Sequence, residues 1–164
     1  MELNDNAKET YIQLLIDSLV KKQGVLNELM EITTRQQNII DSESFEEDEF
    51  LKTISLKEEQ IKSLEEMDRG FELVYDRIRE NLSDNRKEYI PQITALKELV
   101  TIITDLSVRL QALEKRNKPK LEALLANKRK SIKNSRLSNE TVTNYYKNMS
   151  NKPDTKSYFY DKKN

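Results

Sequence analysis

Apolar residues recur three and four positions apart over three long stretches, the spacing of helices that each bury one narrow stripe. Over about 7–40 the stripe reads Ile12, Leu15, Leu19, Lys22, Leu26, Leu29, Thr33, Gln36, Ile40. Tyr11, Leu14 and Met30 widen it, so this first helix can touch two neighbours. Over about 45–82 a second stripe follows: Phe50, Ile54, Lys57, Ile61, Leu64, Asp68, Phe71, Tyr75, Ile78, Leu82. Ser44 and Glu47, three apart, predict a capping box at its start. The short connection makes the two helices an antiparallel hairpin. Equal rise along both brings Lys22 level with Asp68, each a polar gap in its own seam. The expected result is a Lys22–Asp68 pair that sets register, or two side chains that snorkel outwards.

Pro91 suits the first turn of a third helix and disfavours helical geometry at Ile90, which places a connection at about 83–90. In the alternative, the second helix continues to about 88. The third seam is Leu96, Leu99, Ile103, Leu106, Leu110, Leu113, Asn117, Lys120, Leu124, and Pro119 predicts a kink or a stop near 116–118. Leu121, Leu124, Leu125 and Ile132 then form an apolar strip expected to outrun the hairpin and stay partly uncovered. Val142, Tyr145, Tyr146 and Met149 predict a short amphipathic helix, too short to be stable alone, which must pack on the bundle, pack on a partner or stay unfolded. Beyond Pro153 come Tyr158, Phe159 and Tyr160. The expected fold is all-α: an elongated antiparallel three-helix bundle over residues 1–137, a long helical hairpin plus a kinked third helix. A short C-terminal helix and an aromatic, basic tail occupy 138–164.

Composition narrows the chemistry. Hydrophobic residues at 36% and charged residues at 35% suit thin seams better than a thick core. With no histidine and no cysteine there is no imidazole base, thiolate nucleophile, zinc knuckle or disulfide. The two glycines stand apart within helical patterns, so no glycine loop cradles phosphates. The chain therefore reads as a non-enzyme without cofactor or metal. No stretch approaches a membrane span, and the start, with its apolar run broken by Gln13 and Asp17, reads as no signal peptide. A cytoplasmic protein without membrane insertion is expected.

Charge is uneven. Residues 1–82 hold 10 Lys and Arg against 20 Asp and Glu, whereas residues 83–164 hold 18 against 9. Either neighbouring helices attract each other, or the basic C-terminal third docks on something acidic. The run Lys128, Arg129, Lys130, Lys133 and Arg136 is short and lacks interleaved aromatics, so no nucleic-acid partner is expected.

The stretch "FLKTISLKEEQIKSLEEMDRGF", with Leu64, Asp68 and Arg69, resembles the second helix of the FlgN/FliT-type flagellar export chaperones. "ITDLSVRLQALEKRNKPKLEALLANKRKSI" is similar to their third helix through Ala112, Leu113, Glu114, Asn117 and Leu121, and the ending "YYKNM…SYFYDKK" resembles their tails. Pro119 departs from an uninterrupted third helix. The resemblance implies a small helical chaperone. It would bind the amphipathic terminal helices of hook-associated proteins (junction or filament cap), prevent premature assembly and deliver clients to the export apparatus. Leu121, Leu124, Leu125, Ile132, Val142, Tyr145, Tyr146 and Met149 are the expected client surface, with Tyr158, Phe159 and Tyr160 as a tail contact. The competing reading is a scaffolding coiled coil whose seams serve a homodimer.

Overall fold

The computed structural model describes residues 3–84, 87–128 and 139–150. They form four helices and no strand: α1 (Asp5–Asp41), α2 (Glu47–Asp84), α3 (Ile90–Lys128) and α4 (Asn139–Ser150). α1 packs against both α2 and α3, and α4 packs against α3. Cross-helix pairs give the directions. Tyr11 with Arg77, Lys22 with Asp68 and Gln36 with Thr53 run in opposite order, so α1 and α2 are antiparallel. Thr33 with Glu114 and Asp41 with Lys120 rise together, so α3 runs parallel to α1.

Local chemistry sets the helix ends. Asn4 caps α1, its side chain accepting from Ala7 N at 2.7 Å, which starts the helix two residues before the expected position. The expected capping box at Ser44 and Glu47 is not the start that α2 uses. Its first turn closes from Phe50 N to Glu46 O at 3.1 Å, which puts Glu47 at the first helical position. Phe45 and Phe50 then flank that start with ring centroids 6.0 Å apart, a hydrophobic staple that fixes where the chain enters the helix. Glu47, Asp48 and Glu49 place negative charge at the positive end of the helix dipole. Pro91 lies in the first turn of α3, as expected, and Ile93 N bonds to Tyr89 O at 2.8 Å.

The buried stripe of α1 is the nine-residue seam that its spacing predicts. α3 follows its seam less closely. After Asn117 the buried positions are Leu121 and Leu125, while Lys120 turns outwards and bonds Asp41 at 3.2 Å. A straight helix drifts against a strict seven-residue repeat, and here the drift carries the stripe forward by one residue. Of the kink or stop expected near 116–118, the stop does not occur: α3 continues through Pro119 to Lys128. An interior proline costs about 3 kcal/mol, and complete burial of Leu121 just beyond it offsets that cost.

Among the described residues two apolar clusters make up the core. The larger, from Ile12 through Phe71, Tyr75 and Leu96 to Leu110, fills the end where α2 leads into α3. The smaller fills the opposite end and joins Ile40, Phe45, Phe50, Ile54, Leu121 and Leu125 to Val142, Tyr145 and Tyr146 of α4. Met149 touches both, so α4 folds back along the bundle and makes this end locally four-helical. Among the described residues no helix is long and apolar enough to cross a membrane.

Candidate partner-binding site

α4 has only twelve residues, and an isolated helix of that length is marginal in water. Its order therefore comes from the seat beneath it. Val142, Tyr145 and Tyr146 are buried, and Met149 is half-buried. Opposite them, Leu121 is fully buried, Leu125 is buried, and Leu124 is half-buried at the edge. The expectation that this strip stays uncovered is therefore corrected: the chain covers it with its own fourth helix. The reason is fit. The three- and four-residue spacing on α4 matches an apolar seat that joins Leu121 and Leu125 of α3 to Ile40 of α1 and to Phe50 and Ile54 of α2. Ile132, Tyr158, Phe159 and Tyr160 lie outside the described residues.

The floor of the seat is polar. Lys57, with no exposed surface, forms an ion pair with buried Glu114, linking α2 to α3. The Lys57 ammonium also donates to Gln36 Oε1 at 3.1 Å and to the Tyr145 hydroxyl. That hydroxyl lies 3.0 Å from Glu114 Oε1 and 3.1 Å from Gln36 Oε1, and can donate to either. Gln36 Nε2 donates to Thr53 Oγ1 at 3.0 Å, and Thr33 Oγ1 reaches Glu114 Oε1 at 3.3 Å. Asn117 Nδ2 donates to Thr33 O at 3.4 Å, while Asn117 Oδ1 has no hydrogen-bond partner among the described residues. One hydroxyl of α4 thus meets residues from all three long helices. Beside it, Tyr146 has the Lys118 ammonium 5.8 Å from its ring centre.

Burial governs the electrostatics here. It pulls the Lys57 ammonium well below the usual lysine value, because the charged form loses water that its partners only partly replace. It pushes the Tyr145 and Tyr146 hydroxyls well above the usual tyrosine value for the same reason, with nearby Glu122 adding to the effect at Tyr146. Such a layer is stable as a set. Removing one member leaves the others buried without partners.

The anticipated Lys22–Asp68 contact is present, Lys22 Nζ to Asp68 Oδ1 at 2.6 Å, with the Asp68 side chain 31% exposed. It lies within the larger end of the bundle, away from the seat of α4. Sequence reasoning placed Thr33, Gln36, Lys57 and Asn117 on three seams without noticing that they share one level. The signal was available, since the alignment that matches Lys22 with Asp68 also brings Gln36 close to Lys57. Glu114, off the predicted seam, carried no such signal. Among the described residues no group of carboxylates is arranged to hold a metal ion. Compared with known protein families, with curated proteins and with solved structures, the chain finds no match in any of the three.

Proposed function

We propose that this chain is a helix-binding export chaperone of the flagellar type, acting in the cytoplasm and without enzymatic activity. Its clients are amphipathic terminal helices of hook-associated or filament-cap proteins, which it keeps from assembling early and passes to the export apparatus. One observation carries the reading: an apolar seat with a polar floor, spanning three long helices, is filled by a separate twelve-residue helix of the same chain. A seat that accepts one short amphipathic helix suits another, with anchors three and four residues apart. Because α4 is anchored by few side chains, exchange with a client needs only local opening, with the long-helix core intact. A client that must later be threaded unfolded is better held by such a stripe than by burial of its whole surface. On this reading Leu121, Leu125 and Leu124 contact the client, Val142, Tyr145, Tyr146 and Met149 hold its place, and Tyr158, Phe159 and Tyr160 extend the contact.

The test is retention of terminal segments of flagellar axial proteins by the full chain and by the chain lacking residues 138–164. The expected result is a clear change in affinity, higher if α4 mainly competes and lower if it mainly contributes. Equal affinity, or no retention by either chain, refutes the proposal. Mass in solution separates the competing scaffold, which requires a tight homodimer that occludes residues 121–149.

A further inference from the structure

The apolar part of the seat accepts any amphipathic helix of suitable width, but the floor does not. Lys57, Glu114 and Gln36 converge on one point, and at that point α4 supplies a hydroxyl that both accepts from the ammonium and donates to an oxygen. Resting on the reading of this seat as the client site, we infer that the floor selects its occupant. It takes an amphipathic helix with a tyrosine-like hydroxyl at one inward position and apolar residues three before, one after and four after it, the pattern of Val142, Tyr145, Tyr146 and Met149. It rejects a helix that is apolar throughout.

The physical basis is the asymmetry of buried hydrogen bonds. A formed bond contributes modestly, whereas an apolar group placed against a buried ammonium and carboxylate leaves both underbonded. Sites that bond a hydroxyl therefore discriminate strongly against the analogue that lacks it. Water cannot substitute easily, because Lys57 has no exposed surface and Glu114 almost none. The reach of the side chain also matters. A tyrosine carries its hydroxyl through the apolar layer of the seat to the floor, and a serine at the same position would stop short.

α4 in the intact chain serves as the probe. Hydrogen exchange of the α4 amides in the full chain reports how often the seat empties. Tyr145→Phe should speed that exchange by about 10- to 100-fold, with the protected amides of α1 unchanged. The decisive comparison repeats the substitution in a chain whose floor is made apolar by Lys57→Met with Glu114→Leu. There, phenylalanine should hold α4 as well as tyrosine or better. If the double variant does not fold, Lys57→Met with Glu114→Gln replaces it. That pair removes both charges from the hydrogen bonds of the hydroxyl and should shrink the tyrosine preference several-fold. A preference of the same size on native and altered floors, or none on the native floor, overturns the inference. This outcome is separable from the client question: failure to retain any axial segment removes the chaperone reading and leaves the tyrosine preference intact. Loss of the preference removes the selector even if a client binds.

Discussion

Replacing Glu114 with leucine would remove the carboxylate that neutralises Lys57 and leave the ammonium with Gln36 Oε1 and the Tyr145 hydroxyl alone. An uncompensated buried charge of this kind costs about 3–5 kcal/mol, which in a chain of this length lowers Tm by about 10 °C. Lys57→Met alone should cost a similar amount by stranding Glu114. The two changes together should cost far less than their sum and come close to neutral, since a well-packed apolar pair replaces an ion pair that had to give up its water. The loss in the Glu114→Leu chain should also depend on pH. The folded value of Lys57 lies below its unfolded value, so the unfolded chain binds the proton more tightly. The penalty therefore stands in full below the folded value and fades as pH rises towards about 10.4, the ordinary lysine value. Urea unfolding of the four chains at several pH values measures all of this. Additive single losses, or losses under about 1 kcal/mol each, would mean that Lys57 and Glu114 are not coupled as the structure has them.

Three further outcomes are expected. Tyr145 and Tyr146 keep their protons in the folded state after the unfolded chain has lost them, so the stability they provide is complete below about pH 10 and lost above it; an alkaline titration should release α4 in that range, and Tyr146→Phe should flatten the slope. Pro119→Ala should stabilise the chain by about 2 kcal/mol, because α3 already runs helical through that position; no gain in thermal unfolding would show that the turn before it is not ordinary helix. A double-mutant cycle on Lys22 and Asp68 should return a coupling of at most about 1 kcal/mol that weakens with salt, since the carboxylate is partly in solvent; a coupling indistinguishable from zero would deny the pair any part in setting register.

The periodic pattern was enough to establish that the chain is helical, where its long helices lie and which residues of α1 face inwards. Each of these follows from the angle between successive residues on one helix, a property that each stretch of chain carries by itself. The antiparallel order of α1 and α2, and with it the Lys22–Asp68 contact, was also legible, because a short connection leaves little choice of register. The start of α2 was less so, since Phe45 could staple to Phe50 only once both rings had a core to enter. Whether α3 stops at Pro119 was not a local question. The burial of Leu121 and Leu125 under α4 decided it, against the proline. The fate of the C-terminal strip was likewise settled between distant elements. By sequence Val142, Tyr145 and Tyr146 could pack on the bundle, pack on a partner or stay unfolded, and they are buried on the bundle because three helices leave a seat of their size. Most dependent on tertiary structure was the meeting of Gln36, Lys57, Glu114 and Tyr145, one residue from each helix. A hydrogen-bonded layer exists only where packing brings its members to the same height.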